Sequence, residues 1–322
     1  MGRLTEIAHA KLNLALDVGD VRPDGYHEIH SIMQSLELGD IIVLEDRPAG
    51  IALECRTGDP MKQGALHFVG SNVESMPPSD GRNLAWQAAE RLMQATGVHS
   101  GLQITIRKAI PLSAGLAGGS ADAAAVLRGL NSLWNLGLTC EELAAIGKEI
   151  GADIPFCLLE GTAEVSGIGE IVKSVTPPPP WPIILLKQPV TVSTAACYAG
   201  YDRLSQPVRV DVNRMLKALD DQDLGRVAKC LANSLEAVTL SQFPELLHWK
   251  TIMEEAGCLG VLMSGSGPTL FGLARDLDHG QRIFTKLSNI LKQERQGPLP
   301  NLYFTRLWSN GVCQTEKRRR YG

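Results

Sequence analysis

The sequence lacks any apolar run that approaches the roughly 20 residues needed to cross a membrane as a helix. It also lacks a recognisable leader, because residues 1–6 are too few and too polar for a signal or transit peptide. An excess of positive charge is missing too, since the formal net charge is -4, which argues against a nucleic-acid-binding surface. We therefore expect a cytoplasmic protein that binds neither membrane nor nucleic acid, and we interpret the basic residues 317–320 as a solvated tail.

Paired cysteines are missing as well. The seven cysteines are scattered, odd in number and without a C-x-x-C pair. This pattern argues against a disulfide framework and a zinc site, and it fits a reducing compartment. We predict no metal ligands supplied by the protein alone, because no cluster of carboxylates is visible.

The two best-known phosphate-binding loops are absent, although a glycine-rich loop from Pro111 to Ala121 stands in a suitable place. It follows a strand-like alternation over residues 102–107 and precedes a helical periodicity over residues 123–134. It has no lysine of the Walker pattern, and its glycines do not have the spacing of the dinucleotide fingerprint. A flexible connector is one interpretation, and a phosphate cradle of a third kind is the other.

The composition of this loop favours the cradle. Gly115, Gly118 and Gly119 allow backbone angles closed to other residues and let a ligand lie against the main chain. Ser120 is predicted to cap the following helix, whose free amides and positive dipole end would attract phosphate oxygens.

Five other polar or aromatic residues lie where a strand or a turn would present them. An alternating strand pattern places Lys11 and Asn13 on one side, and a Pro-Asp-Gly turn is followed at once by Tyr26 and His27. Asp153 lies in a turn ahead of a proline. Each has an ordinary alternative: an exposed strand face, exposed turn residues and a helix cap.

Four consecutive prolines at residues 177–180 form the clearest break in composition. We place a domain boundary there, which gives domains 1–178 and 179–322. Within residues 260–273 a Ser/Gly loop lies between two predicted strands. The remaining expectations are helices over 83–94, 210–231 and 234–256, a capping box at Thr139, a hairpin over 161–172 and an irregular surface excursion over 60–78.

Taken together in their order, these motifs resemble the GHMP kinase superfamily of small-molecule kinases. The three shared motifs are Ala10-Lys-Leu-Asn13, the glycine loop and Met263-Ser-Gly-Ser-Gly-Pro-Thr269. Within the superfamily, Asp24-Gly-Tyr-His27 and Gly151-Ala-Asp-Ile-Pro-Phe156 resemble the 4-diphosphocytidyl-2-C-methyl-D-erythritol kinases of the non-mevalonate isoprenoid pathway. The resemblance spans residues 8 to about 274.

The resemblance implies an α+β fold of two domains, an N-terminal α/β domain like domain 2 of ribosomal protein S5 and a C-terminal ferredoxin-like domain. It implies that Lys11 and Asp153 act at the acceptor hydroxyl, with Asp153 orienting it or accepting its proton. It also implies that ATP is the co-substrate and that magnesium arrives with it. The implied ATP-binding residues are Pro111, Leu112, Ser113, Ala114, Gly115, Leu116, Ala117, Gly118, Gly119, Ser120 and Ala121, with Asn83 and Lys108 on the adenine side.

The same resemblance implies a small-molecule substrate that carries a cytidine diphosphate group. Asn13, Tyr26 and His27 would hold its cytidine end, and Thr194 and Tyr198 would form the far wall of that pocket. The implied protein is a monomer or a homodimer.

The loop departs from the family pattern, since Ser113, Ala114 and Ala117 replace glycines and Ala121 replaces a second serine. Two other functions stay open at this stage. One is a GHMP kinase for a smaller alcohol such as homoserine or mevalonate, for which Tyr26 and His27 would be dispensable. The other is a non-catalytic nucleotide-binding protein, which would be expected to have lost Lys11 or Asp153.

Overall fold

The computed structural model describes residues 2–70, 76–294 and 298–311, and two β-sheets organise this part of the chain. The strands, in chain order, are β1 (Arg3–Val21), β2 (His27–Arg47), β3 (Ile51–Thr57), β4 (His67–Val69), β5 (Gly101–Lys108), β6 (Thr162–Gly167), β7 (Ile171–Ser174), β8 (Pro182–Lys187), β9 (Ala232–Asn233), β10 (Val261–Met263), β11 (Thr269–Leu273) and β12 (Asn301–Arg306). The helices are α1 (Leu84–Thr96), α2 (Gly118–Leu133), α3 (Cys140–Lys148), α4 (Ile154–Leu159), α5 (Thr194–Tyr201), α6 (Val212–Asp220), α7 (Leu224–Cys230), α8 (Glu236–Gln242), α9 (Pro244–Ala256) and α10 (Leu277–Gln293).

The first sheet has seven strands in the order β3-β5-β2-β1-β9, with β6 and β7 continuing from β2. β2 is long enough to pair with β5 over residues 41–47 and with β6 over residues 29–34. Helices α1 and α2 pack beside this sheet, and α2 is buried from Ala121 through Leu130. Apolar burial along α2 therefore anchors the helix that follows the glycine loop.

The second sheet has five strands in the order β10-β11-β8-β12-β4, and every neighbouring pair is antiparallel. Helices α9 and α10 pack on it and share its core through Trp249, Met253, Phe284 and Leu287. The expected combination of an N-terminal α/β unit and a C-terminal α+β unit is confirmed.

On each side of the predicted domain boundary, one strand joins the sheet that is built mainly from the other side of the boundary. β4 lies before residue 178 but pairs with β12, and β9 lies after it but pairs with β1. The expectation of an irregular excursion over residues 60–78 is therefore wrong at β4, while residues 71–75 lie outside the described residues. The division at residues 178 and 179 stays a prediction.

Local capping chemistry explains several helix boundaries. Asn83 caps α1 through its side chain, and Gly97 ends it in the left-handed conformation. The capping box at Thr139 is present, with Glu142 completing it. The predicted N-cap at Ser120 is wrong, because α2 begins two residues earlier, at Gly118.

The helices predicted over 210–231 and 234–256 are each interrupted. Gln222 has a positive φ of 50°, which ends α6, and the side chain of Asp223 then caps α7. Pro244 begins α9 after α8 has ended, as its missing N–H favours the first turn of a helix. The hairpin over 161–172 and the strand, loop and strand over 260–273 are confirmed.

Five of the cysteines that the structure describes are free thiols, and Cys140 is disulfide-bonded. The sequence-based argument against disulfides therefore fails at this position. Among the described residues no helix is long and apolar enough to cross a membrane. The basic residues 317–320 lie outside the described residues.

Candidate active site

A cavity of about 840 Å³ brings together most of the residues that the sequence predicts to act. It is lined by the middle of β1, the turn before β2, the glycine loop, the turn before α4, helix α5 and the Ser/Gly loop. The predicted residues that line it are Lys11, Asn13, Tyr26, His27, Pro111, Leu112, Ser113, Ala114, Gly115, Ala117, Gly118, Gly119, Ser120, Asp153, Thr194 and Tyr198.

Lys11 and Asp153 face each other in this cavity. The Nζ atom of Lys11 lies 3.7 Å from Oδ2 of Asp153 and donates a 2.9 Å hydrogen bond to Oδ1 of Asn13. The amide of Asn13 donates in turn to the hydroxyl of Ser31 at 2.8 Å, which donates to the carbonyl oxygen of Ala15. This chain of hydrogen bonds fixes the direction of a buried ammonium group.

Asp153 stands at the N-terminal end of α4, but its side chain makes no capping hydrogen bond. Its carboxylate is one-third exposed and so remains available to a ligand in the cavity. The far end of α4 is held by Arg128, which donates to the carbonyl oxygen of Cys157 at 2.7 Å and forms an ion pair with Glu160 at 2.9 Å. Asp153 therefore occupies the N-cap position of α4 without capping the helix through its side chain.

The glycine loop turns sharply between β5 and α2. Ser113, Gly115 and Ala117 all have positive φ, at 49°, 72° and 53°. The carbonyl oxygen of Leu116 accepts a 3.1 Å hydrogen bond from the backbone N–H of Lys11, which ties the loop to β1. The amides at the start of α2 consequently open into the cavity beside Lys11, where a phosphate would find both donors and the positive end of the helix dipole.

The Ser/Gly loop braces the glycine loop from the second sheet. The amide of Asn233 donates to the carbonyl oxygens of Met263 and Gly265, at 2.9 and 2.7 Å. The hydroxyls of Ser266 and Thr194 lie 3.1 Å apart, so the loop also contacts the first residue of α5. The cavity wall is thus built from both sheets.

His27 and Tyr198 lie side by side in the wall of the cavity. Their ring centroids lie 5.2 Å apart at an angle of 36°. Nδ1 of His27 lies 3.0 Å from the carbonyl oxygen of Gly19, and Nε2 lies 3.0 Å from Oδ1 of Asp202. Burial and the nearby Asp153 raise the pKa of Tyr198 to about 12, so its hydroxyl keeps its hydrogen at neutral pH.

Tyr26 is different, since 61% of it is exposed at the mouth of the cavity. Its ring is therefore free to cover a ligand that occupies the space near His27.

Four of the predicted ATP-binding residues do not line the cavity. Leu116 and Ala121 are buried in the core, and Asn83 is occupied in capping α1 and in donating to Pro78. Lys108 is enclosed between Asp40 and Asp122, and its ammonium forms an ion pair with each carboxylate. Asn83 and Lys108 are thus outside the cavity wall, and protein partners already occupy their polar groups, so their place on the adenine side stays a prediction.

The group around Lys108 holds the two ends of the glycine loop. Asp40 accepts hydrogen bonds from the backbone N–H groups of Ala109 and Ile110, while Asp122 belongs to the first turns of α2. Burial alone would lower the pKa of Lys108, but the two carboxylates raise it above its ordinary value. Burial raises the pKa of Asp122 well above its ordinary range, against the opposing effect of Lys108.

Sequence reasoning missed Ser31, Ser264, Ser266 and Asp202. Ser264 and Ser266 belong to the Ser/Gly motif, which is a usable signal for both, whereas Ser31 lies outside the motifs that the sequence shows. Asp202 follows α5 directly and carried no signal, because an aspartate after a helix is ordinarily a solvated surface residue.

No group of three or more His, Cys, Asp or Glu side chains that could hold a metal occurs in the described part of the chain. A hydroxyl that could meet an incoming Mg²⁺ is that of Ser120, which lines the cavity. Gly151 lies in the turn that carries Asp153, and the Ser120 hydroxyl is beside it. This hydroxyl is 3.8 Å from the position that a Cβ atom on Gly151 would occupy. Hard oxygen donors of this kind fit a magnesium ion that is bound mainly by nucleotide phosphates.

Comparisons with known proteins agree with this geometry. Residues 83–161 match the family model "GHMP kinases N terminal domain", and residues 215–293 match "GHMP kinases C terminal". The chain is 43% identical over 293 residues to the 4-diphosphocytidyl-2-C-methyl-D-erythritol kinase of Geobacillus kaustophilus, which covers 90% of this chain and 95% of that protein. It is 45% identical over 281 residues to the enzyme of the same name from Shouchella clausii, covering 87% of this chain and 89% of the other.

Two solved structures are similar. A crystal structure of 4-(cytidine 5'-diphospho)-2C-methyl-D-erythritol kinase superposes with a TM-score of 0.76 at 32% identity, covering 95% of this chain and all of the other. The homoserine kinase of Cytophaga hutchinsonii superposes with a TM-score of 0.71 at 18% identity, covering 96% of each chain, and this likeness concerns the fold alone.

Proposed function

The chain belongs to the GHMP kinases and, among them, to the family of 4-diphosphocytidyl-2-C-methyl-D-erythritol kinases, and we propose from this that its cavity transfers the γ-phosphoryl group of ATP to the 2-hydroxyl of that substrate. The product would be the 2-phosphate, an intermediate of the non-mevalonate isoprenoid pathway. The observation that carries the assignment of residues is the pairing of Lys11 with Asp153 at 3.7 Å, between the glycine loop and His27.

The glycine loop holds the phosphates of ATP in this proposal. The amides at the start of α2 donate to phosphate oxygens, and the dipole of a 16-residue helix adds favourable potential at the same point. Magnesium that arrives with ATP would be met by the hydroxyl of Ser120 and would neutralise charge on the phosphate oxygens. Phosphoryl transfer has a loose transition state, so holding these groups in position is the main task of the loop.

Lys11 and Asp153 act at the acceptor alcohol. Asp153 accepts a hydrogen bond from the hydroxyl, orients its oxygen towards the γ-phosphorus and takes its proton as the new bond forms. Lys11 donates to the oxygens on which negative charge accumulates, and Asn13 and Ser31 keep its ammonium in place. The direction of Lys11 is thus set before the substrate binds, which lowers the cost of reorganisation.

The cytidine end of the substrate occupies the space near His27 and Tyr198. Tyr26 and Tyr198 offer aromatic faces for the base, and His27 offers a polar group to its edge. Thr194 and Asn13 complete the wall beside the sugar and phosphates. A cavity of about 840 Å³ is large enough for a nucleotide-linked substrate and leaves the glycine loop to ATP.

We also propose that the chain acts in the cytoplasm, as a monomer or a homodimer, with domains 1–178 and 179–322. The four prolines at residues 177–180 support this boundary, since polyproline is stiff and unsuited to a sheet. The two family models match on opposite sides of it.

The experiment that tests the proposed activity is ADP release by the purified protein with MgATP and one acceptor at a time. The acceptors are 4-diphosphocytidyl-2-C-methyl-D-erythritol, homoserine, mevalonate and galactose. We expect turnover with the cytidyl substrate and a product phosphorylated on the 2-hydroxyl. Turnover only with another alcohol, or with none of them, would overturn the proposal.

A further inference from the structure

Asp202 lines the same cavity as His27 but has no assigned role. It follows the last residue of α5, and its backbone N–H closes that helix by donating to the carbonyl oxygens of Tyr198 and Gly200. Its side chain takes no part in this cap, is nearly half exposed and reaches Nε2 of His27 at 3.0 Å. The carboxylate is therefore held at the cavity wall by one ring nitrogen, and its second oxygen faces outward from that contact.

The two nitrogens of His27 both face atoms that can only accept hydrogen bonds. Nδ1 faces the carbonyl oxygen of Gly19, and Nε2 faces the carboxylate of Asp202, each at 3.0 Å. Because Gly19 belongs to β1 and cannot leave, Nδ1 is committed to the backbone. Because Nε2 already contacts Oδ1 of Asp202, the other carboxylate oxygen of Asp202 is the acceptor that is left for a ligand beside His27.

A carboxylate acceptor at this position distinguishes the edge of cytosine from that of uracil. Cytosine presents a ring nitrogen that accepts and an exocyclic amine that donates, whereas uracil presents an N–H and a carbonyl oxygen at the same two places. We propose that Asp202 accepts a hydrogen bond from the exocyclic amine of cytosine and so makes the enzyme select cytidine over uridine. This inference rests on the proposed function of the cavity.

The other polar side chains around the cavity are less suited to this choice. Hydroxyl groups such as those of Thr194 and Ser266 can donate or accept, so they do not distinguish an amine from a carbonyl. Asn13 uses its amide oxygen for Lys11 and its amide nitrogen for Ser31. Of the two carboxylates among the described residues of the cavity wall, Asp153 faces Lys11 and Asp202 faces His27.

The test compares Asp202→Asn with the unchanged enzyme on two substrates, the 4-diphosphocytidyl compound and its uridyl counterpart. Asparagine keeps the shape and the backbone cap but offers an amine to the carbonyl of uracil. We expect the ratio of kcat/KM for the cytidyl over the uridyl substrate to fall on the order of tenfold, mainly through KM. Asp202→Ala should lower the same ratio if the asparagine variant folds poorly.

Asp220→Asn serves as the matched control, since Asp220 is exposed at the end of α6 and outside the cavity wall. For this variant, the ratio of kcat/KM for the cytidyl over the uridyl substrate should equal that of the unchanged enzyme. A folded Asp202→Asn enzyme that slows equally on both substrates, or not at all, would overturn the role of Asp202 while leaving the kinase activity intact. Failure of the unchanged enzyme to phosphorylate the cytidyl substrate would instead overturn the proposed function.

Discussion

The hydroxyl of Ser264 donates a 3.0 Å hydrogen bond to the carbonyl oxygen of Gly115, which joins two loops that lie 149 residues apart in the chain. The Cα of Gly115 presses on the backbone of the Ser/Gly loop at the same point. A Cβ there would collide with the carbonyl oxygen of Ser264 and stand 3.0 Å from that of Gly267. The glycine loop and the Ser/Gly loop therefore touch main chain to main chain.

We predict that Gly115→Ala disrupts ATP binding. Backbone atoms cannot yield as a side chain can, and the φ of 72° adds a penalty of about 1–2 kcal/mol for alanine. The loop has to move, and kcat/KM for ATP should fall on the order of 10²-fold, since small displacements of binding groups cost that much. ATP titrations of initial rate measure the effect.

Gly50→Ala is the control for this change, since Gly50 has a similar φ of 69° and no atom within 4 Å of the added Cβ. It should lose stability by about 1 kcal/mol and keep its KM for ATP. Equal kinetic constants for the Gly115→Ala variant and the unchanged enzyme would refute the close contact of the two loops.

Ala117 adopts a left-handed conformation that glycine would adopt without strain, with φ at 53°. We predict that Ala117→Gly raises the free energy of unfolding by about 1 kcal/mol, because relief of strain exceeds the entropy that glycine adds to the unfolded chain. Urea titrations provide the measurement. Ala114→Gly is the control, since Ala114 is buried and has no positive φ, so this change should destabilise the protein.

The buried group of Asp40, Lys108 and Asp122 predicts that Asp40→Asn and Asp122→Asn lower the stability of the protein by different amounts. Burial raises the pKa of Asp122 well above its ordinary value and so disfavours its ionised form, and one of its oxygens has no hydrogen-bond partner. Asp122→Asn should therefore cost less than about 1 kcal/mol. Asp40→Asn should cost about 3 kcal/mol, because it removes the charge that balances a buried ammonium.

Thermal and urea unfolding of the Asp40→Asn and Asp122→Asn variants measure this difference. Equal losses of stability would show that Asp40 and Asp122 contribute equally to balancing the charge of Lys108 and would refute this prediction.

Glu160 predicts a pH dependence of stability. Burial raises its pKa from 4.5 to about 7, against the opposing effect of Arg128. The folded protein thus binds a proton more tightly than the unfolded chain, so this contribution is complete below pH 4.5 and is lost as pH rises through 7. Relative to Glu160→Gln, stability should fall by up to ~1.4 kcal/mol per pH unit in this window.

Urea unfolding of the unchanged protein and of Glu160→Gln at several pH values between 4 and 8 gives this comparison. All other titrating groups are present in both proteins, so the difference between their free energies of unfolding reports the titration of Glu160. A difference between the two proteins that is independent of pH would contradict the raised pKa.

Much of the site could be predicted because its residues belong to short, ordered motifs. The alternation of β1 places Lys11 and Asn13 on one side, and the turn before β2 presents His27. The position of Asp153 could be predicted as a turn before α4, but only the fold brings it to within 3.7 Å of Lys11. Local pattern and family resemblance point to the same cavity.

The misplaced residues depend on contacts between distant segments. Lys108 alternates as a strand residue should, but its partner Asp40 lies 68 residues earlier, on β2, and the register of two strands decides their meeting. Serine is a residue type that often caps helices, yet α2 begins two residues before Ser120, directly after Ala117 in its left-handed conformation. The role proposed for Asp202 depends on its contact with His27, which lies on another element of the fold.

Replacement of Asp153 by alanine tests the central claim most directly. The measurements are the single-turnover rate of phosphoryl transfer to 4-diphosphocytidyl-2-C-methyl-D-erythritol and, on the same protein, the Kd for MgATP. We predict a rate lower by roughly 10²–10⁴-fold, as for loss of a general base, with a Kd for MgATP nearly unchanged. A rate near that of the unchanged enzyme would contradict the account and remove Asp153 from the reaction.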